Sequence, residues 1–306
     1  MLKKMTFKKI CLTSLLLLIA TILYSYPEEL NNHIETYQNK QCQNIYLIDE
    51  NKYVAMSSIP TDSTTTNEQI EEIIKALTID SNTKLPQNLN PILPKNTKLL
   101  DYDLQDDLLK LNFNKEILQI NKEDEEIMIE SLTYSLTEIK GINKIKIFIE
   151  DKELTELPQT HIKLNNYLDR SYGINKTYNI TKINNTKMTT TYYLSNKNDY
   201  YIPISKITND SSNKIDIIIK ELKTTPFNNS NLSSKLNNQI ELMNYEILND
   251  TINMNFNSIL LDNIYEGKLE EEVKYAISYS IHDTLGINEF VFQVNSNDIE
   301  HFRLAN

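Results

Sequence analysis

Side chains capable of acid-base or ligand chemistry are few and dispersed. The four histidines, His33, His161, His282 and His301, are widely separated along the chain. Two acidic runs, Glu123-Asp124-Glu125-Glu126 and Glu270-Glu271-Glu272, supply carboxylates at the density that metal ligation or paired acid catalysis requires. Both runs fall where a helix begins, and negative charge there opposes the positive end of the helix dipole, so a structural role accounts for them. His282 falls on a later turn of the second of these helices, where the first carries Thr137, which reads as a solvated helix position. Tyr192-Tyr193 and Tyr200-Tyr201 could form a stacking platform for a ligand, although strand tyrosines with half-buried rings are the ordinary explanation. The sequence contains no zinc-protease helix motif, serine-hydrolase elbow or CxxC pair. No catalytic, cofactor-binding or metal-ligating residue is therefore assigned, and no cofactor is implied.

Composition excludes further chemistry. The 306 residues are 40% hydrophobic and 24% charged, as in ordinary globular proteins, and the length suggests two domains. Only four glycines are present, Gly141, Gly173, Gly267 and Gly286, and no two share a loop, so neither a phosphate-binding loop nor a dinucleotide fingerprint can be assembled. An excess of Lys, Asn and Ile reflects AT-rich codons first. The net charge is −11, and residues 1–27 contribute +4 through Lys3, Lys4, Lys8 and Lys9, leaving −15 on the remainder. Such a body repels phosphate backbones, so nucleic acid is excluded as a partner and cation-rich or mixed protein surfaces are favoured.

Residues 10–26 form an uncharged apolar stretch behind four lysines, the layout of an export signal or a signal anchor over residues 1–27. Either reading exports the rest of the chain. The best cleavage boundary, Leu23-Tyr24-Ser25, has a large residue where a small one is needed, which favours an uncleaved membrane anchor over a secreted product. Cys11 would lie in lipid and Cys42 outside, so the two cannot pair within one chain.

The elements that would position any site emerge from a duplication. The stretch from Leu99 to Asn114 reappears from Leu242 to Asn257, an offset of 143. Tyr134-Ser135 and Gly141-Ile142-Asn143 recur as Tyr279-Ser280 and Gly286-Ile287-Asn288, and Ile70, Ile73, Ile74 and Leu77 recur as Ile215, Ile218, Ile219 and Leu222, all at an offset of 145. In each copy, periodicity predicts two short strands (45–48 and 53–56; 192–194 and 200–204) and a helix. A capping box of Thr66 and Gln69 opens the first of these helices. A hairpin follows, turning at Asp106-Asp107 or Asn249-Asp250, whose second strand alternates Leu109, Leu111 and Phe113 against Lys110, Asn112 and Asn114. Next come a helix with small residues on its apolar face (Ser131 and Ser135; Ala276 and Ser280), a C-terminal glycine (Gly141 or Gly286) and a last alternating strand. The fold class is α+β: two tandem small domains, each a mixed β-sheet with two helices packed on one face. The expected boundaries are 45–151 and 191–296, with a polar linker over 152–190 and a tail over 297–306. Within the linker, Leu168 to Ile174 contains Arg170, one of only two arginines, together with Tyr172, and reads either as docked on a domain or as a surface loop.

The segments LLDYDLQDDLLKLNFNKEI and ESLTYSLTEIKGINKIKIFIEDKEL, with NFNSIL and YAISYSIHDTLGINEFVFQV in the second copy, resemble the GerMN domain of sporulation and spore germination proteins. The resemblance covers both repeats. It implies an exported, membrane-attached protein, a fold similar to ring-building modules of secretion and sporulation channel complexes, and no catalytic residues to carry over. Members are often lipoproteins, whereas here no cysteine stands at a lipidation position.

Together these readings favour a non-enzymatic, membrane-anchored extracytoplasmic assembly protein with protein partners, self-association among them, in a sporulation, germination or envelope complex. The alternative is an envelope ectodomain or sensor that binds a peptide, glycan or small molecule. A concave pocket at Tyr200, Tyr201 or Arg170 would favour the alternative, and filled cores with flat outer faces would favour assembly.

Overall fold

The computed structural model describes residues 41–195, 200–226 and 231–304. The apolar stretch at 10–26, and with it the anchor or signal, lies outside the described residues. Among the described residues, no helix is long and apolar enough to cross a membrane.

The first repeat begins with strands β1 (Gln41–Ile48) and β2 (Val54–Thr61), then helix α1 (Thr66–Leu77). Thr65, rather than Thr66, caps α1: its side chain accepts from Glu68 N while the Glu68 carboxylate accepts from Thr65 N. The run Thr64-Thr65-Thr66 followed by Glu68-Gln69 offers two overlapping boxes, and the one ending in the charged side chain wins. Strands β3 (Leu99–Gln105) and β4 (Leu108–Phe113) form the expected hairpin, with Asp106 at φ 54° in its turn. Helix α2 (Glu125–Leu136) crosses over to β5 (Lys144–Ile149), which pairs parallel to β4, and β6 (Lys152–Glu153) closes a mixed sheet β3-β4-β5-β6.

After a short strand β7 (Thr177–Asn179), the second repeat follows the same course. It comprises β8 (Lys187–Ser195), β9 (Tyr201–Thr208), α3 (Lys214–Leu222) and the short β10 (Leu232–Ser233). The hairpin β11 (Leu242–Leu248) and β12 (Thr251–Phe256), the two-residue strands β13 (Ile264–Tyr265) and β14 (Lys268–Leu269), α4 (Glu271–Leu285) and β15 (Glu289–Val294) complete it. Residues read in the sequence as a tail form β16 (Asn297–Arg303), the edge of a second mixed sheet β11-β12-β15-β16. Ile252, Met254, Phe256, Phe290 and Phe292 are buried on its inner face, as are Leu109, Leu111, Phe113, Ile145 and Ile147 on the first sheet. Gly286 takes the left-handed conformation (φ 75°, ψ 17°) that ends α4. Gly141 differs from the expectation: α2 stops at Leu136, and Gly141 (φ 91°) lies in the turn that feeds β5.

The opening hairpins of the two repeats join in one sheet of order β1-β2-β9-β8-β10, in which β2 meets β9 antiparallel at Met56 and Tyr201. Since β8 and β9 repeat β1 and β2, the order β1-β2-β9-β8 is palindromic and defines an internal twofold between β2 and β9. Tyr192, Tyr193 and Ile202 of the second hairpin accordingly belong to the core built by the first repeat.

The small residues on α2 and α4 do more than permit close approach. Ser135 Oγ accepts Tyr46 N at 2.9 Å, and Ser280 Oγ accepts Tyr192 N at 2.9 Å, so the same helix position satisfies the same strand amide in both copies. In the first copy, Ser131 Oγ also donates to Tyr46 O at 2.6 Å; Ala276 replaces it in the second. Each buried amide would lose this acceptor without the serine, at a cost of about 1–3 kcal/mol. Ser135→Ala and Ser280→Ala are therefore each expected to lower unfolding stability by that amount. Denaturant titration checks this, and a loss under about 0.5 kcal/mol for either variant would show that the hydroxyl is not the anchor.

Candidate functional site

The segment Leu168 to Ile174 enters the space between the repeats and is held at both ends. Leu168 and Ile145 exchange backbone hydrogen bonds at 2.8 and 2.9 Å, while Ile174 N donates to Ser205 Oγ at 2.9 Å and Ser205 N to Ile174 O at 2.8 Å. Between these ends, Asp169 accepts Ser171 N at 2.9 Å and caps a single 3-10 turn, Arg170–Tyr172. The turn aims Arg170 inward. Its Nη2 donates to Glu138, its Nη1 to Asp283, and its Nε to Thr137 Oγ1 at 3.1 Å. The guanidinium carbon lies 4.9 Å from the Tyr134 ring centre and 5.7 Å from that of Tyr46. Tyr134 OH donates back to Arg170 O at 3.1 Å, so side chain and backbone of this one residue are both fixed.

The groups around Arg170 obey the internal twofold. Glu138, just beyond the end of α2, and Asp283, on the last turn of α4, occupy equivalent positions 145 residues apart. Tyr46 OH donates to Glu138 Oε1 at 3.0 Å and Tyr192 OH to Asp283 Oδ2 at 3.2 Å, while the two hydroxyls lie 2.9 Å from each other. Two hydroxyl protons thus serve three contacts. Asn44 Nδ2 donates to Glu138 Oε2 at 3.1 Å. Arg170, a single residue from the linker, breaks the symmetry by answering both acids. Burial alone would push the Glu138 carboxyl up, but the charge and hydrogen bond of Arg170, with Asn44, hold it below its usual range. Burial followed by the nearby carboxylates raises Tyr46 and Tyr192 well above ordinary tyrosine, so both stay neutral at physiological pH.

This cluster contains no activated nucleophile and no free base; it can join the two repeats. The acidic run at 123–126 makes structural contacts within the first repeat and with the segment read as a linker. Asp124 pairs with Lys52 at 2.7 Å. Fully buried Glu125 accepts Gln159 N, Thr160 N and Thr160 Oγ1 at 2.8–3.0 Å. Lys176 binds Glu126 at 2.8 Å and Glu130 at 2.7 Å. The segment read as a linker is consequently docked along α2. In the second repeat, Glu270 accepts Asn263 Nδ2 at 3.0 Å, and Glu271 and Glu272 open α4.

The described histidines stay apart. His282 contacts Ile287 O at 3.2 Å, His161 pairs with Glu156 and His301 with Asp298; His33 lies outside the described residues. Among the described residues, no three His, Cys, Asp or Glu side chains converge as metal ligands would. Tyr192, Tyr193 and Tyr200 are buried, and Tyr201 packs edge-on to Tyr279 at 5.7 Å, so these tyrosines build core and no open platform. Sequence reading singled out Arg170 and missed its acceptors, although acids at equivalent positions of both copies were the available signal.

The depressed Glu138 carboxyl makes a signed prediction. A carboxylate held below its unfolded value of about 4.3 stabilises the fold above that pH, and the contribution disappears as pH falls through the folded value. Glu138→Gln should therefore cost roughly 2–3 kcal/mol near neutrality, less than a fully enclosed pair because Glu138 keeps some contact with water. The gap to wild type should begin to narrow near pH 4 and close at lower pH, once the folded value is passed. Denaturant unfolding near neutrality and over a descending series of acidic pH values checks this, and a gap that stays constant down the series would contradict it.

Comparison with known proteins agrees with this geometry. The family described as Germane, sporulation and spore germination, matches residues 44–155 and 190–300, more than half of the chain. The spore germination protein GerM of Bacillus subtilis (strain 168) is 28% identical over 238 residues, 75% of this chain, and the chain spans 63% of that protein's length. A solved structure of the tandem GerMN domains of the sporulation protein GerM from Bacillus subtilis superposes with a TM-score of 0.78 at 24% identity, covering 87% of this chain and 97% of the other, which shows a shared fold. The chain belongs to the Germane family of sporulation and spore germination, with two GerMN-type domains in tandem.

Proposed function

We propose that this chain is a non-enzymatic assembly module on the outer side of the cytoplasmic membrane, anchored through residues 10–26 and presenting its repeats to protein partners in a sporulation or germination complex. The observation that carries the reading is the filled junction. A two-domain enzyme or receptor places its cleft between its domains, and here Arg170, Glu138, Asp283, Tyr46, Tyr134 and Tyr192 occupy that space and satisfy one another. The tyrosines and Arg170 that a ligand-binding ectodomain would have used are spent on that contact. Family membership supports the biological setting, and the −15 charge beyond residue 27 favours protein over nucleic acid.

Crosslinking in cells followed by pull-down of the full chain, compared between growth and sporulation, tests the role. A protein partner enriched in sporulating cells is expected. Recovery of wall fragments or a small ligand with no protein partner would overturn the assembly reading. Mass measurement of the mature chain tests the anchor: the full-length mass in the membrane fraction is expected, and loss of about 25 residues would refute it.

A further inference from the structure

The two mixed sheets have the same topology but differently charged outer faces, so one copy serves as a control for the other. On the first sheet, one row runs Asp103, Lys110, Lys146 across β3, β4 and β5. Lys110 pairs with Asp103 at 3.7 Å and Lys146 with Glu153 of β6 at 3.0 Å, giving acids at both edges and lysines in the middle. The matching row of the second sheet runs Glu246, Asn253, Val291, His301 across β11, β12, β15 and β16. Both central lysines are gone. The next row is Leu248, Thr251, Glu289, Arg303, with Leu248 52% exposed at the β11 edge. Over β15 and β16 lies a shallow groove of about 210 Å³ whose lining includes Thr251, Glu289, Val291, His301 and Arg303, with Phe290 and Phe302 between them.

Stacking a sheet on its own copy about a twofold parallel to the strands sets each edge strand over the opposite edge and keeps every row in register. For the first sheet this places Lys110 over Lys146 and, in the neighbouring row, Asp101 over Glu153, two like-charge contacts. For the second it places Glu246 over His301, neutral Asn253 over Val291, and apolar Leu248 over the groove at Arg303. On the second face no two like charges meet: an acid faces an imidazole, and an apolar side chain faces a groove.

We infer that the outer face of β11-β12-β15-β16 pairs with the same face of a second copy of this chain, Leu248 of each seating in the groove of the other. This names a surface and a partner for the assembly role proposed above and rests on that role; the capture experiment given there is independent of it. Light scattering or sedimentation of the full chain in detergent micelles tests the pairing. A concentration-dependent dimer is expected, weakened about tenfold or more by Leu248→Lys and by Glu246→Lys. It should be restored in Glu246→Lys combined with His301→Glu, and unchanged by Lys110→Glu on the first sheet. A monomer throughout, a dimer indifferent to Leu248→Lys and Glu246→Lys, or failure of the charge swap to restore it would each overturn the inference. A protein partner captured from cells by a monomeric chain would leave the assembly role standing with a different surface.

Discussion

One guanidinium lies between two carboxylates, that of Asp283 buried and that of Glu138 half-buried, where the two repeats meet, and most of the chain's arrangement depends on that contact. Glu138 and Asp283 come from equivalent positions of a duplicated unit, so a twofold junction necessarily brings two negative charges together. Without a cation, two desolvated acids beside two neutral tyrosines would carry an uncompensated penalty of several kcal/mol. A side chain from the linker resolves this because it lies outside the duplication and can occupy the axis without a symmetry mate. Arginine suits the position better than lysine: its planar fork answers two carboxylates and a threonine hydroxyl at once while stacking on tyrosine faces.

That requirement explains the unequal fates of the two crossover helices. Helix α2 is buried around nearly its whole circumference, since its own sheet, the joint sheet and the docked linker all pack on it. Its carboxylates Glu125 and Glu130 bind linker atoms, at Gln159 and Thr160 and at Asn175 and Lys176. Burial raises the Glu130 carboxyl even against the charge of Lys176, as expected for an acid used to grip backbone inside a core. Helix α4 carries Tyr275 where α2 has Glu130, and that ring stacks on Tyr279 and meets Phe302 of β16 edge-on. The duplication supplied two equal scaffolds, and on these helices positions such as Glu130 and Tyr275 diverged where one copy meets the linker and the other the last strand.

Much of each repeat was legible because local period determines it. The hairpins with Asp and Asn in their turns, the alternation of Leu109, Leu111 and Phe113, and the apolar faces of the helices follow from which residues must leave water. The junction was not legible, because β2 pairs with β9 across more than a hundred residues and nothing in either strand encodes its partner. Docking of the segment 152–190 was legible only as one of two alternatives at Leu168 to Ile174, because polar Asn, Thr and Lys look like a solvated linker until the acids that receive them are known. Strand β16 escaped notice because the register shift opposite Phe292 and Gln293 puts an extra residue, Ile299, into β16 and breaks the alternation that would have marked it. At the site, the isolated arginine in a lysine-rich chain was a usable signal, whereas its tyrosine and carboxylate partners became meaningful only once the repeats were superposed.

The central claim is that the two repeats form one cooperative body closed by Arg170, and the unfolding transition of Arg170→Met measures it most directly. Wild type should unfold in a single transition by both fluorescence and circular dichroism, because the hairpin of the second repeat completes the core of the first. In Arg170→Met, the uncompensated acids should open the junction, so that the two probes separate and the first midpoint falls by an amount corresponding to roughly 3 kcal/mol or more. A single transition in the variant with an unchanged midpoint would contradict the account.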